Sequence, residues 1–211
     1  MNTTQVKPKD TSVAISQVTI DNENYFKISN CDKMQTFFMS IVSDSNHWLF
    51  IGSNGGLTAG RKNAQFSLFP YYTSDKIMEG TEVTGSKSIF RVIKDGQTQT
   101  WEPLSERFDG QYNVTRNLYK NTYGNKIIFE EINHDLGLTF QYAWNSSNEF
   151  GFVRKATLTN NTDESVKVEL LDGIQNIVPA GKTIGISGKN WASMRLTGLR
   201  GNDGYSSRTT F

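Results

Sequence analysis

The feature that most constrains the fold is an alternation of large apolar residues with smaller or polar ones in the second half of the chain. Successive side chains of a β-strand point to opposite faces, so an apolar residue at every second position builds one apolar face. The large members of this series are Leu138, Phe140, Tyr142 and Trp144. The segment is therefore predicted to be a strand with one buried face.

Turn residues divide much of the remaining chain into further strands. The run Lys126–Asn133 reaches the alternating strand through a short connector that ends on Gly137, which is typical of antiparallel pairs. Asp95 and Gly96 form one of the strongest short hairpin signals. The other predicted strands are Val13–Ile20, Thr36–Val42, His47–Ile51, Ser88–Ile93, Gln97–Trp101, 150–158 and 166–170.

Helical patterns are scarce, and only Asn190–Leu199 has the composition for a turn or two of helix. Many short strands without intervening helices predict an all-β fold, a large antiparallel β-sandwich. No repeat, low-complexity tract or linker divides the chain. We expect a flexible N-terminal segment over 1–12 and a single β-sandwich domain over 13–211.

Composition and charge exclude several functions. The 22 Lys and Arg residues against 21 Asp and Glu give a net charge of +1, which supplies no field that would attract nucleic acid or an anionic membrane. No apolar run is long enough to span a bilayer. Cys31 is the only cysteine, so no intrachain disulfide or thiol zinc site is possible, and we expect no metal and no cofactor. The polar start Met1–Asp10 lacks the pattern of a signal peptide, which indicates a cytoplasmic location.

The segment Gly52–Asp75 is predicted to be a long irregular loop, the kind of element that often carries function. Gly55 and Gly60 have P-loop spacing, but the required Lys-Ser/Thr pair and the following helix are missing, so nucleotide binding is rejected.

Two interpretations of this loop remain. In the first, its glycines permit tight turns, and Phe66, Phe69, Tyr71 and Tyr72 pack the loop against the rest of the domain. In the second, fixed hydrogen-bond donors beside an aromatic pair grip a polyol, because sugars combine many hydroxyl groups with apolar ring faces. The predicted substrate-binding residues are Arg61, Lys62, Asn63, Tyr71 and Tyr72.

No catalytic residue is predicted. His47 and His134 are the only histidines, and His134 falls in a predicted turn. Glycoside hydrolysis needs two facing carboxyl groups, and Glu130 and Glu131, as neighbours on one strand, must point to opposite faces. We expect these acidic residues to lie at solvated or salt-bridged edges.

Four stretches carry a family resemblance: His47–Ile51, Gly52–Asn63, Leu68–Tyr72 and Phe152–Asn160. The last has the pattern R-x-x-x-L-x-N, a strand that enters a turn. Together they resemble the N-terminal supersandwich domain of glycoside hydrolases and phosphorylases of the cellobiose phosphorylase type, which has a galactose-mutarotase-like fold. The resemblance implies that this chain is the N-terminal part of a longer protein. It also implies that the catalytic groups belong to a C-terminal helical-barrel domain for which the chain has no sequence.

Three functions compete on this basis. The first is a non-catalytic accessory domain of a multidomain glycoside hydrolase or phosphorylase acting on oligosaccharides, with carbohydrate and the barrel domain as partners. The second is a free-standing carbohydrate-binding module, whose signature would be an exposed Trp48, Trp101 or Trp191. The third is an aldose-epimerase-like enzyme, which needs a histidine that faces a carboxylate across a cleft.

Overall fold

A computed structural model describes residues 12–70, 73–94 and 96–178, and within these ranges the secondary structure is predominantly β. The only α-helix in the described ranges is α1 (Ser74–Glu79), and short 3₁₀ turns occur at Cys31–Lys33, Ala64–Phe66 and Glu106–Phe108. The strands are β1 (Ala14–Ile20), β2 (Glu23–Ser29), β3 (Phe38–Ile41), β4 (His47–Gly52), β5 (Leu57–Arg61), β6 (Gly85–Lys94), β7 (Gln97–Trp101), β8 (Val114–Asn121), β9 (Lys126–Asn133), β10 (Leu138–Ser147), β11 (Gly151–Asn160) and β12 (Lys167–Gln175).

The described strands form three antiparallel sheets. The largest has six strands in the order β1-β2-β8-β9-β10-β11, and the smaller ones have the orders β12-β6-β7 and β3-β4-β5. Apolar side chains of all three sheets meet in one buried cluster. For example, the ring of Phe90 on β6 lies 5.2 Å from that of Phe140 on β10 and 5.4 Å from that of Trp101 on β7. The fold is therefore an all-β sandwich, as the alternation predicted.

The strand on which the prediction was based is confirmed. All four large apolar residues of β10 are buried in the core. Leu138 pairs with Asn133 of β9, and Gly137 has a positive φ of 65°, which a tight hairpin connector requires. The hairpin at Gly96 is also confirmed, since Lys94 of β6 pairs with Gln97 of β7.

Strands β2, β5 and β8 were missed, and the prediction of an irregular loop over Gly52–Asp75 was wrong. Its centre is β5, which pairs with β4 and is buried from Leu57 to Gly60. A strand that is covered on both faces shows no alternation of polar and apolar residues. The short sequence of β5, which includes Ala and Gly, therefore did not show the pattern by which strands are predicted. The stretch Asn190–Leu199, the only candidate for a turn or two of helix, and the segment 1–11 lie outside the described residues.

The acidic pair was expected at solvated or salt-bridged edges. Glu131 does form a salt bridge, to Arg116, but Glu130 and Glu131 are both buried at the centre of the large sheet rather than at an edge. They do point to opposite faces. Glu131 accepts hydrogen bonds of 2.7 Å from Trp101 Nε1, from the Leu104 amide and from Arg116 Nε. Glu130, on the other face, accepts hydrogen bonds from the side chains of Asn117, Tyr119 and Gln141.

Replacing Glu131 by Gln should lower the free energy of unfolding by about 3 kcal/mol, because removal of one partner leaves the largely buried Arg116 side chain without its closest anion. Urea denaturation measures this loss. The matched control is Glu169→Gln, which removes an exposed partner of Arg91 and should cost less than about 1 kcal/mol. Equal losses in the two variants would contradict the structural role of Glu131.

Candidate functional site

Three of the predicted site residues form one corner of the molecule directly after β5. Arg61 ends the strand opposite His47, and its Nε donates a hydrogen bond of 3.3 Å to Asn46 Oδ1. Arg61, Lys62 and Asn63 are all exposed. We call these residues the polar corner. Tyr71 and Tyr72, the other two predicted residues, lie outside the described residues.

The backbone of the polar corner is held in an unusual conformation. Lys62 has a φ of 60°, which costs a non-glycine residue about 1–2 kcal/mol. Its amide donates a hydrogen bond of 2.8 Å to the Asn46 carbonyl, and the Asn63 amide bonds the Arg61 carbonyl at 2.7 Å. The Lys62 ammonium lies 6.0 Å from the centre of the Phe66 ring, which is exposed. This turn therefore holds a guanidinium, an ammonium and an amide side by side, facing solvent.

The polar corner adjoins a loop, residues 42–46, that is tied to the turns of the large sheet. The Val42 amide bonds the Gly124 carbonyl at 3.0 Å, and Asn148 Nδ2 bonds Asp44 Oδ2 at 3.3 Å. Two aromatic side chains in these turns, Tyr123 and Phe150, are 76% and 73% exposed. One end of the sandwich therefore combines hydrogen-bond donors with exposed rings, and loops at such an end commonly bind ligands.

The aromatic residues after β5 divide between the two interpretations of this segment. Phe69 is buried and packs the chain down, whereas Phe66 is 57% exposed. Trp101 is fully buried and is excluded as a stacking platform, while Trp48 is half-buried. Trp191, the third candidate platform, is not among the described residues.

A small cleft between the sheets was missed at the sequence level. Its volume is about 20 Å³, which holds a water molecule but not a sugar ring. The Lys87 ammonium contacts both Glu102 and Glu82, at 2.9 Å from Glu82 Oε2, and Glu82 also accepts hydrogen bonds from Ser105 and the Glu106 amide. Arg107 Nε also lies 3.5 Å from Glu82 Oε2, so two cations balance the two carboxylates, and these contacts tie the loops before β6 and after β7 to β6.

An ion pair beside the cleft joins the six-stranded sheet to the sheet β12-β6-β7, and we call these two sheets the layers. Arg154 on β11 makes two hydrogen bonds of 2.8 Å to the carboxylate of Asp172 on β12, which also accepts one of 2.5 Å from Ser88 on β6. The guanidinium lies 5.2 Å from the centre of the Tyr142 ring. Arg154 is the arginine of the R-x-x-x-L-x-N pattern, and its contacts assign it to packing between the sheets.

The histidines do not contribute to the cleft. His47 Nδ1 lies 2.6 Å from Ser45 Oγ, and His134 Nε2 lies 2.8 Å from Thr115 Oγ1. Neither imidazole is among the residues that line the cleft. These contacts to hydroxyl groups orient the His47 ring at the start of β4 and the His134 ring in the turn after β9.

Glu82 in the cleft and Asp172 beside it should make the stability of the fold depend on pH. Burial raises the pKa of Glu82, but hydrogen bonds from Lys87 and the Glu106 amide outweigh it, so that this pKa is lowered from its ordinary value. Burial likewise opposes ionisation of Asp172, and hydrogen bonds from Arg154 and Ser88 outweigh it and lower its pKa. Both groups therefore stabilise the fold above their unfolded pKa values of about 4, and this stability disappears as pH falls through the lower, folded values.

We expect Asp172→Asn to reduce stability at pH 7 and to flatten the decline of stability between about pH 5 and pH 2. Urea denaturation at a series of pH values measures both effects. The exposed residue Glu149 provides the control, because Glu149→Gln should retain the pH dependence of the parent. If Asp172→Asn kept the parent's pH dependence of stability, the Asp172 carboxylate would not contribute to the loss of stability in acid.

No family model matches the chain, and no curated protein matches it. Within the described ranges, no group of three or more His, Cys, Asp or Glu side chains is placed to hold a metal ion. The same ranges contain no helix that is long and apolar enough to cross a membrane.

Proposed function

We propose that this chain is a non-catalytic accessory domain of a multidomain glycoside hydrolase or phosphorylase that acts on oligosaccharides. The observation that carries this proposal is the polar corner, where Arg61, Lys62 and Asn63 stand exposed at the end of a β-sandwich. Its expected ligand is carbohydrate, and its expected partner is a C-terminal catalytic helical-barrel domain.

The chemistry of the polar corner fits a polyol. A guanidinium offers a planar fork of donors, an ammonium offers three more, and an amide both donates and accepts, which matches neighbouring hydroxyl groups. Exposed rings, such as Phe66 beside Lys62, supply apolar surface for the C–H faces of a sugar. The net charge of only +1 provides no strong field for a charged ligand, which favours an uncharged one.

The buried carboxylates support a binding role over a catalytic one. A glycosidase requires two carboxyl groups that flank the scissile bond. Glu131 is bound by Trp101 and Arg116, and Glu102 contacts the Lys87 ammonium. These acids are engaged in holding the fold, so proton transfer to a substrate would have to break structural contacts.

The same corner would also serve a free-standing carbohydrate-binding module, which differs only in needing no catalytic partner domain. An aldose-epimerase-like activity is less well supported. It needs an imidazole that faces a carboxylate across a cleft, whereas neither His47 nor His134 is among the residues that line the cleft described above.

Arg61→Ala should weaken oligosaccharide binding by about 1–3 kcal/mol, the usual loss for a central contact, and leave the melting temperature nearly unchanged. Isothermal titration calorimetry against a panel of neutral oligosaccharides measures the affinity. Arg91→Ala is the matched control, because Arg91 is also exposed but lies on β6 and pairs with Glu169. Unaltered binding in Arg61→Ala, or equal losses in both variants, would contradict the assignment.

The purified chain should neither hydrolyse nor phosphorolyse aryl glycosides, because its buried carboxylates are committed to structural hydrogen bonds. Release of nitrophenol, with and without inorganic phosphate, measures both reactions. Turnover that co-purifies with the chain and disappears in Glu130→Gln or Asp135→Asn would show that the domain is itself an enzyme.

A further inference from the structure

The outer face of the sheet β3-β4-β5 carries three neighbouring aromatic rings, Phe38, Phe50 and Trp48, which we call the aromatic strip. The ring centres of Phe38 and Phe50 are 5.9 Å apart, and those of Phe50 and Trp48 are 5.8 Å apart. Phe38 and Phe50 are 39% and 40% exposed. Leu49 and Ile51 alternate with these residues on β4 and point into the core, so the strip faces outward.

Strand pairing fixes the aromatic strip in place. The ring of Trp48 packs over Gly60 on β5, where a Cβ atom would lie 2.5 Å from Trp48 Cζ2. Phe38 on β3 and Phe50 on β4 have ring planes only 17° apart. The rings therefore present a preformed surface that loses little conformational entropy when a ligand binds.

The strip is narrow and carries no charge. Apart from its three rings, the outward residues of β3 and β4 are Ser40 and Gly52. On its other side, β5 is covered by the chain that follows it, where Thr58 and Ser67 are buried together. A stable protein interface uses about 20–30 residues on each side, far more than this strip offers.

One end of the strip meets the polar corner. The backbone of Phe66 and the ring of Trp48 both adjoin Gly60, and the Lys62 ammonium lies 6.0 Å from the Phe66 ring centre. A ligand that follows this path meets cationic and amide donors at one end and uncharged rings along its length. This pattern is complementary to a chain of neutral sugar units whose terminal hydroxyl groups reach the corner.

We infer that the aromatic strip extends the sugar site of the polar corner, so that the ligand is an unbranched neutral oligosaccharide of at least three units. The inference rests on the proposed function. Phe38 and Phe50 each stack on the apolar face of one sugar unit, while Arg61 and Lys62 bond the hydroxyl groups of a third unit at the corner, beside the half-buried Trp48 ring. Branched saccharides fit poorly because the strip is one ring wide, and a charged sugar unit finds no ionic partner along the strip.

The test is calorimetric titration of the full chain with cello-, malto- and laminari-oligosaccharides of one to six glucose units. In at least one series, affinity should rise with length until the strip is covered and then level off. Phe50→Ala and Phe38→Ala should lower affinity for the longer members by about three- to tenfold, the loss expected for one aromatic contact. Binding of the monosaccharide should not change.

Phe26→Ala is the control, because this ring is 45% exposed on β2 of the large sheet. It should bind every oligosaccharide as the parent does. If Phe50→Ala fails to fold by near-ultraviolet circular dichroism, Phe50→Leu keeps the apolar volume but removes the flat ring, and should show the same loss.

The outcomes separate this inference from the proposed function. Sugar binding that depends on Arg61 but not on chain length, or that survives both phenylalanine substitutions, overturns the strip as a sugar surface and leaves the polar corner intact. Absence of binding in every series overturns both. Sedimentation velocity that shows a dimer lost in Phe50→Ala would assign the strip to contacts between chains and overturn the inference.

Discussion

The packing of the two layers depends on one buried carboxylate, that of Glu131. It lies on β9 in the middle of the large sheet and binds Trp101 at the end of β7 and the Leu104 amide just beyond it. Removing a charge from water costs several kcal/mol, which is offset only when the remaining lone pairs are filled and an opposite charge lies close. Arg116 on β8 supplies that charge. Since any slip of the layers would leave buried donors unpaired, this contact fixes how the small sheet β12-β6-β7 sits on the large one.

This constraint also shapes the functional surface. The acidic residues Glu131 and Asp172 join the layers, Glu102 pairs with Lys87 within the small sheet, and all three form ion pairs. What remains available to a ligand is the periphery: the polar corner at the loop end and the rings on the outer face of β4. A scaffold whose buried carboxylates are engaged in ion pairs or hydrogen bonds, as Glu102, Glu130 and Glu131 are among the described residues, is suited to presenting a rigid surface, which a binding domain requires.

Sequence patterns predicted the strands whose two faces differ, and missed those whose faces do not. β10 was found because its apolar residues alternate with partly exposed ones. β8 was missed because Arg116 and Asn117 look like solvent-facing residues, yet they are largely buried through Glu131 and Glu130 on the neighbouring strand. Such pairing joins residues 13 and 15 positions apart in sequence and depends on strand register, which a one-dimensional pattern does not contain.

The candidate site also has a part that the sequence predicted and a part that it did not. Arg61, Lys62 and Asn63 were found together because they are consecutive, whereas the aromatic strip needs three strands in register. The sequence did hold one signal for it, the unbroken run Trp48–Ile51, in which both faces of a strand are apolar. Such a run indicates either a strand buried on both sides or one that exposes an apolar face. The structure decides between these for β4: Leu49 and Ile51 fill the core, and Trp48, packed over the glycine at position 60, and Phe50 face outward. A side chain at position 60 would displace the Trp48 ring, so the glycine, first interpreted as permitting a tight turn of the loop, provides the space for an aromatic ring on the sheet.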